Sequence, residues 1–269
     1  MQNKAECIAF TNPKGGSGKT TSCLSIAGYL AKNGGKVLVV DFDPQASATS
    51  GLGIDATSLH HSIYDAVLAH CDGYEGLSLS QVILETDIKN LHLVPSEPDL
   101  AAAEILMQHT RKRTGILKRI LEDVIPLYDY ILIDLPPSSG PLTINGLFAS
   151  DRVVVPLEPS IFCLEALEHQ EVIFNDVKRM NGRTFSQITI ILTRYVKQNL
   201  YMRFFNKYSP SQDVEARLLE KFNTVYLVPD STLIYGTQQR GVPISHYAPE
   251  SKVGKAYENI AENISTNNK

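Results

Sequence analysis

The sequence predicts a doubly wound α/β fold with a mostly parallel central sheet and helices on both faces. Three observations carry this: short β-branched runs recur along the chain, most of them are continuously apolar, and helical patterns lie between them. Strands are expected at Ile8–Asn12, Lys36–Asp41, Leu91–Pro95, Tyr130–Asp134, Arg152–Pro156, Ile188–Thr193 and Val225–Val228. Runs such as Val37-Leu38-Val39-Val40 and Ile131-Leu132-Ile133 do not alternate with polar residues, as befits a strand covered on both faces. Helices are expected at Thr20–Lys32, stopped by Asn33-Gly34-Gly35, and at Ile116–Ile125, where Ile116, Leu117, Ile120, Leu121 and Val124 recur at helical spacing. In such folds ligands sit beyond the carboxyl ends of the strands, so the residues just after each strand are the ones to read for chemistry.

At 269 residues, length alone leaves one or two domains open, and the unbroken strand–helix alternation favours one domain over residues 1–269. No repeat or low-complexity linker interrupts it, and fraying is expected only at Ser265–Lys269. A composition of 43% hydrophobic and 20% charged residues excludes a disordered or fibrous chain. Cys7, Cys23, Cys71 and Cys163 are widely spaced and form no C-x-x-C pair. With no signal peptide apparent, reduced buried thiols in a cytoplasmic protein are expected. No apolar run approaches the roughly 20 residues of a membrane span.

The net charge of -4 hides an asymmetry: Lys178 to Lys221 holds nine basic and three acidic residues, a local +6, leaving -10 for the rest.

The strongest motif follows the first strand: Pro13-Lys14-Gly15-Gly16-Ser17-Gly18-Lys19-Thr20-Thr21, leading into a helix. Glycines let the backbone curl so that amide groups point at phosphate oxygens, and the helix dipole favours their charge. Lys19 is placed to reach the outer phosphates and Thr20 to put a hydroxyl on magnesium. The usual P-loop glycine, five positions before Gly18, is Pro13 here; the distinguishing feature is instead a second lysine, Lys14. After the second strand comes Asp41-Phe42-Asp43-Pro44-Gln45, two carboxylates at alternate positions. The run Tyr130-Ile131-Leu132-Ile133 ends in Asp134, a Walker B arrangement, followed by Leu135-Pro136-Pro137-Ser138-Ser139-Gly140.

Together these motifs resemble the ParA/Soj-like partition ATPases of the deviant Walker A branch, and the similarity runs along nearly the whole chain. It includes Ala48-Thr49-Ser50-Gly51-Leu52-Gly53, Val94-Pro95-Ser96, Pro141-Leu142-Thr143-Ile144-Asn145 and Gly241-Val242-Pro243-Ile244. The resemblance implies an ATP- and Mg2+-dependent ATPase that dimerises on ATP, binds DNA without sequence preference, and is released when a ParB-like or adaptor protein stimulates hydrolysis. It implies that Lys14 reaches across the dimer, that Asp43 orients or activates the attacking water, and that Thr20, Asp41 and Asp134 serve the magnesium. Gly15, Gly16, Ser17, Gly18, Lys19 and Thr21 would complete the phosphate cradle, and Pro229 and Asp230 fall where relatives contact adenine. Two departures stand out: the family's usual Gly-Asn after the Asp-Pro-Gln is Ala46-Ser47 here, and its Glu-Ala near Tyr235-Gly236 is missing.

The resemblance also directs attention to basic residues late in the chain, with Arg194, Arg203, Lys207, Arg217 and Lys221 as candidates for DNA phosphates; the alternative is a solvated helix face. Arg111-Lys112-Arg113 is a further contributor or a solvated helix end. A MinD-like membrane regulator needs a basic amphipathic C-terminus, whereas Glu258–Lys269 is acidic and poor in bulky apolar residues. An iron–sulfur reductase of the nitrogenase iron-protein kind needs cysteines near the switch segments, and Asp134-Leu135-Pro136-Pro137 has none. A cytoplasmic, nucleoid-associated ATPase with no membrane partner is therefore expected, with positioning of a protein assembly as the alternative.

Overall fold

Every residue of the second strand, Val37–Asp41, is buried, because Val37 and Val39 face one helical layer while Leu38 and Val40 face the other. The same division holds in the first strand, where Ile8 and Phe10 oppose Cys7 and Ala9. Period-two alternation between two apolar environments is what makes these strands read as unbroken apolar runs. The computed structural model describes residues 4–160, 162–197, 210–222 and 224–266. Its strands are β1 (Glu6–Phe10), β2 (Val37–Asp41), β3 (Leu84–Glu85), β4 (Leu91–Val94), β5 (Tyr130–Asp134), β6 (Arg152–Leu157), β7 (Gln187–Tyr195) and β8 (Val225–Pro229). They form one sheet in the order β3-β4-β2-β5-β1-β6-β7-β8, parallel except for β3, which pairs antiparallel with β4.

The helices are α1 (Lys19–Lys32), α2 (Ser47–Gly51), α3 (Ile63–Leu68), α4 (Leu79–Val82), α5 (Leu100–His109), α6 (Ile116–Leu121), α7 (Pro141–Ala149), α8 (Cys163–Asn181), α9 (Pro210–Lys221), α10 (Leu233–Arg240), α11 (Ile244–Tyr247) and α12 (Lys252–Thr266). α3, α5, α6, α7 and α8 contribute to the core on one face, and α1, α11 and α12 to that on the other.

Three expectations need correcting. The short edge strand β3 was not anticipated, since two residues carry no periodicity. The helix expected over Ile116–Ile125 ends at Leu121, and Ile125–Leu127 forms a separate 3-10 turn. Pro126 lacks an N–H and disfavours helical geometry at Ile125, so the apolar spacing outlasts the helix. Ser265 and Thr266, expected to fray, belong to the last turn of α12. That helix buries Val253, Tyr257, Ile260, Ala261 and Ile264, and Tyr257 meets the hydroxyl of Ser22 on α1 at 3.1 Å. Its apolar face is thus occupied by the phosphate-loop helix and is not presented to a lipid surface.

Candidate nucleotide site

Register brings the acidic residues together before any loop is considered. Asp134 stands opposite Phe10 of β1 on one side and Asp41 of β2 on the other, so two carboxylates lie side by side where the phosphate loop begins. Both are fully buried, and Asp43 is nearly so. Burial raises the Asp41 carboxyl to about 7, against the opposing hydrogen bonds of Thr49 and Asp43. Burial and then the neighbouring Asp41 raise Asp134 well above the usual carboxylate range. Burial lowers Lys19, and Asp134 and Asp43 act in the opposite direction. The arrangement is electrostatically costly as it stands and favours cations.

The loop is shaped from its start. Asn12 donates to the Pro156 carbonyl at 2.6 Å and accepts the Lys14 N–H at 2.8 Å. Gly18 caps α1 at φ +89, a conformation that favours glycine, and a Cβ there would crowd the Thr193 methyl group at 3.1 Å. Thr193 Oγ1 lies 2.9 Å from the Ser17 carbonyl and 3.2 Å from that of Leu157, tying the loop to β6 and β7. A Cβ added at Gly15 or Gly16 would meet nothing within 4 Å, so the cradle is open on the ligand side. Asn12 and Thr193 were missed by sequence reasoning; only their places at or beside strand ends hinted at them.

Thr20 donates its hydroxyl to Asp134 Oδ2 at 2.6 Å. Asp134 Oδ1 and Ser17 Oγ are buried without a hydrogen-bond partner. Two unpaired polar atoms beside an open glycine-rich loop fit a site completed by phosphate and a hydrated cation, since leaving them unpaired costs about 1–3 kcal/mol each. Among the described residues no cluster of three or more His, Cys, Asp or Glu side chains could hold a metal unaided. The four cysteines are free and buried.

The segment after β2 is held by its own network. Asp41 Oδ2 accepts the Thr49 N–H at 2.7 Å and hydroxyl at 2.8 Å, while its Oδ1 has a longer contact of 3.4 Å from the Asp43 N–H. Asp43 Oδ1 accepts from the Gln45 N–H, and the Asp43 carbonyl accepts from Ser96 Oγ. Ala46 adopts φ +50, where the family usually has glycine, so the turn keeps its left-handed shape despite a side chain.

A cleft of about 840 Å³ opens from the loop and is lined by Gly18, Lys19, Thr20 and Thr21 together with Pro229 and Asp230. The two proposed adenine contacts thus reach the same cleft as the phosphate loop. Gly236 is also explained: an added Cβ would fall 2.3 Å from the Tyr247 hydroxyl, which occupies the space beside it.

Lys14 does not line the cleft. Its ammonium group lies 3.6 Å from Glu158, half exposed, and Arg194 reaches the same carboxylate at 3.1 Å. Arg194, expected on a DNA-facing surface, lines the cleft at φ +50. Arg217 pairs with Asp213 at 3.4 Å and Lys221 with Glu171 at 2.6 Å. Arg203 and Lys207 lie outside the described residues.

A phosphate loop between β1 and α1, buried carboxylates at the ends of β2 and β5, and an open cleft define a nucleotide-binding protein of the P-loop class. A family model described as an AAA domain matches residues 5–190. The sporulation initiation inhibitor protein Soj of Bacillus subtilis is 35% identical over 265 residues, covering 97% of this chain and 98% of that one. The chromosome-partitioning ATPase Soj of Treponema pallidum is 32% identical over 264 residues, covering 96% of each. A solved structure of cobyrinic acid a,c-diamide synthase from Mycobacterium smegmatis, with bound ATP analog and magnesium, superimposes with a TM-score of 0.79 at 27% identity over 97% of this chain and 94% of that one. The chain belongs to the Soj/ParA family of partition ATPases. No helix among the described residues is long and apolar enough to cross a membrane.

Proposed function

We propose that this chain, acting as a single ATPase domain, uses ATP and Mg2+ to cycle between a monomer and a DNA-bound dimer, and that a ParB-like or adaptor protein ends the cycle by stimulating hydrolysis. The observation that carries the reading is Lys14: a lysine of the phosphate loop that does not line the cleft and lies half exposed beside Glu158. A second subunit's nucleotide gives such a lysine a use that its own site does not.

Within one subunit, Lys19 and the backbone of Gly15, Gly16, Ser17 and Gly18 bind the phosphates, with Thr21 completing the wall. Thr20, Asp134 and Asp41 would hold the magnesium. When bound, the ion neutralises charge developing on the transferred phosphoryl group. Asp43 is the residue for the attacking water; Gln45 and Ser96 fix its position by bonding its carboxylate and carbonyl. Pro229 and Asp230 hold the base. The protein works at the nucleoid.

The test is binding to nonspecific duplex DNA with ADP, with ATP, and with ATP in an Asp43→Ala variant, at two salt concentrations. Salt-sensitive binding that requires ATP and persists in the variant is expected. Hydrolysis without DNA binding in any nucleotide state overturns the DNA part of the reading and leaves the ATPase.

A further inference from the structure

Resting on the DNA reading above, we propose that the surface meeting the nucleic-acid backbone is the segment Arg111–Arg119 together with the end of α8, and not the paired cations of α9. The described candidates on α9 are paired one to one, Arg217 with Asp213 and Lys221 with Glu171, so a DNA phosphate would have to displace a carboxylate at each. Arg194 shares Glu158 with Lys14 and lines the nucleotide cleft. Residues 110–121, by contrast, contain Arg111, Lys112, Arg113, Lys118 and Arg119 and no acidic residue. This is a denser charge than that of the late basic stretch.

The structure keeps this charge outward. Arg111, Lys112 and Arg113 are exposed, and among the described residues none forms an ion pair; Asp72 accepts only the backbone N–H of Arg111. Arg119 turns back on the segment and donates to the carbonyls of Lys112 at 2.8 Å and Thr114 at 3.4 Å, bracing the loop that carries the other three. Lys118 lies over the Phe148 ring at 5.5 Å, and Asn181 at the end of α8 donates to the Phe148 carbonyl. The last turn of α8 is thereby joined to the same face; its Arg179 pairs with Asp176, while Lys178 is exposed and forms no ion pair among the described residues. Arg111, Lys112, Arg113 and Lys178, which form no ion pair among the described residues, gather like charge on a loop and a helix end, and such a cluster suits a repeating phosphate backbone.

One buried residue connects this surface to the nucleotide. Asn145 of α7 accepts the Ile116 N–H at 2.8 Å and donates to the carbonyls of Arg113 and Pro141, each at 3.0 Å. Pro141 is the first residue after the loop that follows Asp134. A movement of that loop therefore shifts the cationic segment through a side chain that touches both, which makes DNA affinity follow the nucleotide.

The experiment uses the full chain and a nonspecific duplex, with ATP and with ADP, across a salt series. Lys112→Ala/Arg113→Ala should lower the slope of log affinity against log salt by about 2, since each lost duplex phosphate contact removes about 0.9. DNA-independent ATP hydrolysis should stay unchanged. Arg217→Ala/Lys221→Ala should leave the slope as it is. Asn145→Asp, which keeps the acceptor for Ile116 and loses the donors, should narrow the ATP-to-ADP ratio of affinities. Wild-type binding with an unchanged slope in Lys112→Ala/Arg113→Ala overturns the surface and spares the partition reading; no wild-type binding with any nucleotide overturns both. Binding of poly-glutamate in place of DNA, lost in the same double variant, reassigns the surface to an acidic protein partner. An unaltered ratio in Asn145→Asp removes the coupling.

Discussion

Gly241 and Gly53 touch backbone to backbone: a Cβ built on Gly241 would lie 2.3 Å from the Gly53 Cα. Gly241 ends α10 and Gly53 follows α2, and both have positive φ. Both helices line the cleft, α2 through Ser47 and Ser50, α10 through Tyr235 and Gln238. The close approach of the two walls requires glycine at 241, whereas a Cβ on Gly53 would meet Gly241 only at ordinary contact distance, 3.5 Å or more. Gly241→Ala should cost about 1–2 kcal/mol from the left-handed backbone alone and should also push the walls apart. Urea denaturation and fluorescent-nucleotide titration should show lower stability together with weaker binding. Unchanged nucleotide affinity in a destabilised variant would mean that the walls are positioned independently.

Ala46 presents the opposite case. It holds φ +50 at the start of α2, so its side chain adds strain that glycine does not have. Ala46→Gly should stabilise the protein by about 0.5–1 kcal/mol, the relief of left-handed strain outweighing the greater freedom of glycine in the unfolded chain. A rise in the thermal midpoint without nucleotide is the readout, and a fall would show that the buried methyl group matters more than the backbone.

The two loop lysines should separate by measurement. Lys19 is buried beside Asp43 and Asp134, and Lys19→Ala should abolish nucleotide binding by the monomer. Lys14 is half exposed on Glu158, and Lys14→Ala should retain monomer binding while losing ATP-dependent dimerisation and hydrolysis. Light scattering after gel filtration with ATP, alongside nucleotide titration, distinguishes them. Equal loss of nucleotide binding in both variants would place Lys14 in its own subunit's site.

Asp41 gives stability a pH dependence of definite sign. Its carboxyl titrates near 7 when folded and near the ordinary 3.8 when unfolded, so the folded chain binds the extra proton between those values. Its contribution is most favourable below about pH 4 and is lost as pH rises to 7, with a slope approaching 1.4 kcal/mol per pH unit. Asp41→Asn should remove that slope from nucleotide-free denaturation curves recorded between pH 4 and 7. Parallel curves for the two proteins would show that Asp41 stays ionised when buried.

Much of this site was legible because its chemistry is local. The phosphate loop, the Asp41-Phe42-Asp43 pair and Asp134 lie in continuous motifs directly after strands, and the strand register then brings them together. The braces were not legible, because they come from distant parts of the chain: Thr193 reaches the loop from 176 residues away, and Asn12 is bound at Pro156. The late basic stretch illustrates a different limit. A count of charges along the chain cannot tell Lys221, held on Glu171, from Lys112, which faces solvent. The fold followed the same pattern: seven strands announced themselves as apolar runs, while the two-residue β3, paired with β4 at the sheet edge, has no periodicity to read, and the helix from Ile116 stops short of where its apolar spacing ends.

The packing of α12 against α1 has a consequence for the order of assembly. The first helix of the chain, which carries Lys19 and Thr20, finds its outer neighbour among residues 252–266. Contacts separated by so much chain close late, because the entropy of the intervening loop must be overcome first. During synthesis the nucleotide machinery thus remains without part of its support until nearly all of these residues have been made, and a nascent chain lacking α12 exposes apolar surface on α1 to chaperones and to other unfinished chains.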